Sequence, residues 1–252
     1  MTFPLSKFPQ PVIFAHRGAS DGAPENTMAA FQLAFEQGAH GIEFDVKLSA
    51  DGEIVVIHDQ TVNRTTNATG SISRLPLAAI RELDAGAWFG EPFRHERIPT
   101  LHEVFAAFGE VLILNIELTN YNTPFDALVP KVVSLIKKYG VERNIWFSSF
   151  YPHNLMRAAE LLPSAPRAQL IWPGRMGSWQ RIWGGRIDLQ AEHIYKDDIS
   201  AETVKKAHQR NRRIHAWTVN DPADIRRLQA IGVDGIITDN PLAALAIVNP
   251  KS

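Results

Sequence analysis

The chain has 252 residues, 26 of them basic and 27 acidic, with a formal net charge of −1. That balance excludes the broad basic field that gathers nucleic acid or acidic membranes, and a hydrophobic content of 45% excludes a disordered chain. Without cysteine there is no disulfide, thiolate metal site or cysteine nucleophile. No apolar run reaches the roughly 18 residues of a membrane helix, so no stable membrane insertion is expected. Met1 to Pro11 is interrupted by proline and lacks the apolar stretch of a secretory signal, which makes a cytoplasmic protein the expectation.

Pro11–Ala15 reads as a first strand. Asn26 to Gln37 reads as a helix, with Asn26 as its N-cap and Gly38 just past its end. Gly41–Leu48 is a second strand, and Asp51-Gly52 predicts a tight hairpin into Ile54–Ile57. Thr61 to Pro99 lacks periodicity and reads as an insertion with one short helix near Leu77–Leu83. Beyond it, helices over Leu101–Phe108, Phe125–Tyr139, His153–Leu161, Ala201–Arg210, Ala223–Ile231 and Leu242–Val248 alternate with strands. Those strands are Val111–Leu118, Asn144–Ser148, Ala168–Trp172, Ile187–Ala191, Arg213–Thr218 and Gly235–Thr238. Gly174–Gly185, rich in glycine and tryptophan, has no clear period.

About eight strands outside the hairpin, separated by helices, predict a parallel sheet closed as a (β/α)8 TIM barrel with a small insertion after the second strand. An open doubly wound sheet is the alternative. No Gly-x-Gly-x-x-Gly follows the first strand and no phosphate-loop motif occurs, so neither common nucleotide fingerprint is met. Residues 1–252 are read as one domain.

Parallel barrel strands are covered on both faces and should be nearly all apolar, so charge near their C-terminal ends needs a reason. Strand one ends in His16-Arg17-Gly18. Strand two alternates, with Glu43, Asp45 and Lys47 on one face; taken alone it reads equally well as an antiparallel surface strand. In a barrel, Glu43 and Asp45 face the lumen about 6–7 Å apart. Two such carboxylates resist joint ionisation without a cation, and a hard divalent ion resolves this. Val111–Leu114 is apolar before Asn115 and Glu117, which bring a third carboxylate to the same end. Three carboxylates favour Mg²⁺, Ca²⁺ or Mn²⁺ over zinc. His58-Asp59 follows the hairpin strand, and Trp217 near a later strand end is read as an apolar wall for a ligand. Asp239, ahead of Pro241, reads as the N-cap of the last helix, while Glu192 and His193 stand as residues to re-examine.

Several of these residues lie in longer motifs: His16-Arg17-Gly18, Pro24-Glu25-Asn26-Thr27, Gly41-Ile42-Glu43-Phe44-Asp45-Val46, His58-Asp59, Arg64-Thr65-Thr66, Asn115-Ile116-Glu117, Trp217-Thr218-Val219-Asn220 and Gly235-Ile236-Ile237-Thr238-Asp239. On these, in this order along nearly the whole chain, the sequence resembles the glycerophosphodiester phosphodiesterase family. The resemblance implies a (β/α)8 barrel and metal-dependent hydrolysis of deacylated phospholipids to glycerol 3-phosphate and an alcohol. It implies His16 and His58 as an acid/base pair. Glu43, Asp45 and Glu117 would hold one divalent ion, Mg or Ca, Arg17 would bind phosphate, and Glu25 would stand beside the site. The expected partner is a small glycerophosphodiester, with no nucleic acid, and a homo-oligomer is compatible with the sequence.

One departure stands out. The family continues Glu-x-Lys after its third acidic ligand, and here the sequence is Glu117-Leu118-Thr119. Losing a charged contact to a transition-state oxyanion costs on the order of 2–4 kcal/mol unless another cation replaces it. Lys196 and Arg175 are the candidates, with Thr119 left as a weaker hydrogen-bond donor to substrate. Two other readings compete. One is a barrel phospholipase on intact lipid, with Trp172, Trp179 and Trp183 as an apolar lip. The other is a glycerophosphodiester-binding protein without turnover, to which the retained histidines and acids are opposed.

Overall fold

In a computed structural model, residues 8–184 and 187–249 are described, without the side chains of residues 178 and 182–184. Eight parallel strands close into a barrel: β1 (Val12–His16), β2 (Gly41–Leu48), β4 (Ile113–Leu118), β5 (Ile145–Ser149), β6 (Arg167–Leu170), β7 (Ala191–Tyr195), β8 (Arg213–Trp217) and β9 (Gly235–Thr238). β1 pairs with both β2 and β9, which closes the cylinder and excludes the open sheet. β3 (Ile54–Val56) runs antiparallel to β2 as the predicted hairpin. Its loop is wider than a two-residue turn: Ser49 N–H bonds Glu53 O at 2.9 Å, and Gly52 takes the positive φ of 80°.

The helices are α1 (Met28–Glu36), α2 (Leu77–Arg81), α3 (Leu101–Phe108), α4 (Leu128–Tyr139), α5 (Pro152–Leu161), α6 (Arg175–Gly184), α7 (Ala201–His208), α8 (Pro222–Ala230) and α9 (Pro241–Val248). Helix α3 shows how local chemistry sets a boundary. Thr100 accepts from Glu103 N–H while the Glu103 carboxylate accepts from Thr100 N–H, a reciprocal cap that fixes the first turn. The N-cap of α1 lies one residue later than Asn26: it is Thr27, and Asn26, at φ 56°, belongs to the preceding turn.

Strand alternation separates two cores. Val12, Phe14, Ile113, Trp146, Ala168, Ala191 and Ile237 fill the lumen, whereas residues such as Ile42, Phe44, Ile116 and Phe147 pack outward against the helices. The lumen also holds a stacked histidine pair, His215 Nδ1 to His193 Nε2 at 3.0 Å, which burial keeps neutral by driving the pKa of His193 down to about 3. His193 therefore belongs to the barrel's filling. The strand expected at Ile187–Ala191 instead begins at Ala191, because its polar members are matched: Glu192 points outward to Arg181 (2.8 Å) and Arg212 (3.2 Å).

The segment after β3 has its own small core of Val55, Ile57, Val62, Ile72, Ile80, Ala85 and Ile98. Asp84 knits its far end together by accepting from the N–H groups of Gly86, Ala87 and His95 at 2.8–2.9 Å. On the opposite side of β2, Phe31 of α1 packs its ring on Phe44 and Phe108. Phe31→Ala should destabilise the fold by about 3–5 kcal/mol in urea unfolding, since a fully buried ring leaves a cavity between helix and barrel.

Candidate active site

The C-terminal ends of β1, β2, β4 and β9, with the exit of β3, bring the acidic and histidine side chains together. One carboxylate oxygen each from Glu43, Asp45 and Glu117 lies within 4.8 Å of the others. Strand register explains the convergence: Asp45 pairs with Glu117 across β2 and β4, and Glu43 stands two residues back on the same face.

The neighbours of these carboxyls differ. Asp45 accepts from the Asn26 amide at 3.0 Å and lies 3.5 Å from Arg17 Nε. Burial alone would raise its pKa, but Arg17, His58 and Lys47 outweigh it and hold the carboxyl below the usual range. Glu43, also buried, is pushed well above that range by loss of solvent and by Asp45 and Glu117. Loss of solvent and the charge of Asp45 push Glu117 up to about 8, although Tyr121 Oη donates to it at 2.8 Å. One buried oxygen of Asp45, the Asn115 amide and the Ser148 hydroxyl meet no hydrogen-bonding partner among the described residues.

Each histidine is oriented by a carboxylate. His16 Nδ1 meets Asp239 Oδ1 at 2.6 Å, and Asp239 is fixed in turn by Ser20 Oγ at 3.0 Å and the Asn220 amide at 2.5 Å. The sequence had marked Asp239 as a helix cap. That task falls to Asn240, whose side chain accepts from Ala243 N–H, which frees Asp239 for His16. His58 Nδ1 meets Asp59 Oδ1 at 2.7 Å. Arg64 grips both oxygens of Asp59 at 2.9 Å and both oxygens of Glu25 at 2.6 and 2.8 Å, and Glu25 accepts from Arg17 at 2.8 Å. A continuous chain therefore runs from His58 through Asp59, Arg64 and Glu25 to Arg17. With Nδ1 of each ring facing a carboxylate, Nε2 is the nitrogen left for chemistry.

Arg17 adopts φ 56°, in the left-handed region. Gly18 follows at φ 86°, where a Cβ would meet the backbone of Ala30 at 2.6 Å. The turn folds the Arg17 guanidinium back over Asp45 and Glu25.

The cation beside Thr119 is neither candidate read from the sequence. Lys196 is paired with Asp224, and Arg175 is exposed at the start of α6. Lys47 donates instead to Thr119 Oγ1 at 2.6 Å, and Thr119 spends its own proton on Val46 O at 3.0 Å. Thr119 thus enters the site as a partner of Lys47.

Across the rim the surface is aromatic. Trp217 packs edge-on against Phe150 and Tyr195, and Phe150 stacks on Trp172 with ring centroids 4.0 Å apart. Trp172 and Trp179 are exposed, whereas the Trp183 side chain lies outside the described residues. Asp239, Asn220, Asn26, Arg64, Tyr121 and Lys47 are the site residues that sequence reasoning did not assign. The signal for the last is its place in the Glu43–Asp45–Lys47 alternation.

Residues 16–243 match the glycerophosphoryl diester phosphodiesterase family. The chain is 39% identical to a glycerophosphodiester phosphodiesterase of Caldanaerobacter subterraneus subsp. tengcongensis over 94% of its own length and 97% of the relative's. It is similar in structure to an Oleispira antarctica phosphodiesterase solved in complex with the product sn-glycerol-3-phosphate, with a TM-score of 0.84, 31% identity, and coverage of 97% and 98% of the two chains. A glycerophosphodiester phosphodiesterase of Agrobacterium tumefaciens matches with a TM-score of 0.77 at 30% identity, over 92% of this chain and 98% of the other. The chain belongs to the glycerophosphoryl diester phosphodiesterase family, a family of hydrolases.

Proposed function

We propose that this protein hydrolyses glycerophosphodiesters, the deacylated phospholipids of the cytoplasm, to sn-glycerol 3-phosphate and an alcohol. The observation that carries the reading is the pairing of two carboxylate-oriented histidines with a three-carboxylate cluster at one barrel rim. The Oleispira relative, solved with sn-glycerol-3-phosphate, supports the substrate class.

The cluster suits one hard divalent ion, Mg²⁺ or Ca²⁺, held by Glu43, Asp45 and Glu117. All three donors are oxygens, one buried oxygen of Asp45 has no hydrogen-bonding partner among the described residues, and two of the carboxyls are driven toward their protonated forms without a cation. When bound, such an ion supplies positive charge to the non-bridging phosphoryl oxygens.

The rest falls to the chain. Arg17, kept charged by Asp45 and Glu25, presents its guanidinium to the phosphate, and Glu25 and Arg64 hold it in place. One histidine accepts the proton of the attacking hydroxyl as its oxygen bonds to phosphorus. The other donates a proton to the alcohol oxygen as its bond to phosphorus breaks. Trp217 forms an apolar wall for the carbon skeleton. The attacking hydroxyl is water or the neighbouring glycerol hydroxyl, and incorporation of labelled solvent oxygen against trapping of a cyclic phosphate distinguishes them.

Release of glycerol 3-phosphate from glycerophosphocholine in a coupled assay tests the reading directly, and activity should vanish in EDTA and return with Mg²⁺ or Ca²⁺. His16→Ala and His58→Ala should each lower kcat by about 10²- to 10⁴-fold. Asp239→Asn, which spoils the orientation of His16, should cost about 10- to 100-fold. Turnover by the alanine variants near that of the parent would remove the histidines from the mechanism.

The raised carboxyls also set a pH dependence. Glu43 and Glu117 bind protons more tightly in the metal-free fold than in the unfolded chain, where 4.5 is the ordinary value. The contribution of Glu117 to stability is complete below that value and is lost as pH rises through about 8, and that of Glu43 has the same sign. The melting temperature of the chelated protein should fall between pH 6 and pH 8.5, with Ca²⁺ restoring it most at the higher pH. Calorimetry should detect proton release on binding.

A further inference from the structure

Lys47 is buried at the end of β2, and each of its three ammonium protons has an acceptor: Ile57 O at 3.2 Å, His58 O at 2.6 Å and Thr119 Oγ1 at 2.6 Å. The three acceptors belong to two different parts of the molecule. Ile57 and His58 form the exit of β3, where the chain leaves the hairpin for the inserted segment. Thr119 directly follows β4, the strand that carries Glu117. Since Asp45 pairs with Glu117, Lys47 and Thr119 are the next same-face neighbours beyond that pair. The ammonium therefore lies beside position 119, delivered by the adjacent strand.

A buried ammonium with all its protons engaged has no donor left for substrate. It can still act on the site through geometry and through charge. Geometrically, it fixes the backbone carbonyl of His58. His58 is about 43% exposed in its side chain, and its ring is otherwise oriented by Asp59 of the same exposed segment. Electrostatically, Lys47 faces Asp45, Glu117 and Asp59, with Arg17 the neighbouring cation. We propose that Lys47 is a positioning residue of this active site: its ammonium ties the His58 turn to the end of β4 and balances the carboxylate cluster as a fixed charge. The assignment rests on the role given above to His58.

The two contributions predict effects of opposite sign, which separates them from loss of structure. In Lys47→Met the His58 carbonyl is released and the cluster loses a nearby positive charge. kcat for glycerophosphocholine should fall by about 10- to 100-fold, with KM changed less than about three-fold, as for a partner that orients a reacting group. Affinity for Ca²⁺, titrated calorimetrically into the chelated protein, should rise by about ten-fold or more, because a repelling charge is gone. General damage to the site would weaken Ca²⁺ binding instead. In ¹H–¹³C spectra of the imidazoles, the His58 signal should shift while that of His16 stays in place.

The double variant Lys47→Thr with Thr119→Lys returns the ammonium from β4, and should recover kcat to within about five-fold of the parent and restore the parental Ca²⁺ affinity. The proposal is overturned if Lys47→Met keeps kcat within about three-fold, if it binds Ca²⁺ more weakly, or if its His58 signal does not move. Should Lys47→Met fail to fold, the double variant decides alone: folded, with parental Ca²⁺ affinity but kcat reduced more than about 100-fold, it excludes the role. A parent that does not hydrolyse glycerophosphocholine sinks the functional reading, while the Ca²⁺ titration and the imidazole spectra still decide on Lys47.

Discussion

Three acidic side chains cannot be brought within 4.8 Å of one another inside a barrel without a response from everything around them. Loss of solvent and mutual repulsion both oppose ionisation, and the protein meets this unequally. Asp45 receives the strongest support, from the Arg17 guanidinium and the Asn26 amide, and is held ionised. Glu43 and Glu117 receive less and retain protons when no cation is near. Such a rim could hold a ligand that brings positive charge with it, since that charge would displace those protons.

The two histidines reach the site by different structural routes. His16 ends an inner strand, and its partner Asp239 lies just beyond β9, pinned by Ser20 and Asn220 from two further turns. That histidine–carboxylate pair is built on the closed barrel itself. His58 sits where the chain departs into the insertion, and Asp59, Arg64 and Glu25 link it back to Arg17. The insertion, with a small core of its own, thus carries one of the two carboxylate-oriented histidines, and the contacts that tie it down determine where that imidazole stands. Arg64 holds two carboxylates in two-point contacts, and it does so at the junction between those two parts.

The barrel was legible in the sequence because strand and helix periods alternate cleanly, and the acidic trio because Glu43, Asp45 and Glu117 interrupt strands that should be apolar. The same rule misplaced β7. In Ala191–Tyr195 both Glu192 and His193 are buried and partnered, so the strand was disguised by polar residues whose mates lie on other elements. Asn26 and Asp239 failed for a related reason. Both stand where a helix cap is the ordinary local explanation, and only the three-dimensional approach of Asp45 and His16 shows that each is engaged elsewhere. Lys196 and Arg175 answer to charge alone, because the sequence carries no strand register. Once Asp45 is known to face Glu117, Lys47 opposite Thr119 follows from counting two residues along each strand.

The register also divides the rim by chemistry. The ends of β1, β2 and β4 carry His16, Arg17, the carboxyl trio and Lys47, whereas the ends of β5, β6, β7 and β8 lead into Phe150, Trp172, Tyr195 and Trp217. The charged groups thus cluster on one arc, where Arg17 and Lys47 face the carboxyls, and aromatic rings line the other. Tyr121 stands at the boundary, its hydroxyl on Glu117 and its ring against Phe150 and Tyr151. A phosphodiester entering such a mouth meets cations and carboxylates at its phosphorus and carbon surfaces along its skeleton. Under the proposed function its scissile bond would face His16 and His58, and its organic portion Trp217. Substitutions on the aromatic arc should therefore alter which alcohol is accepted far more than how the bond is broken.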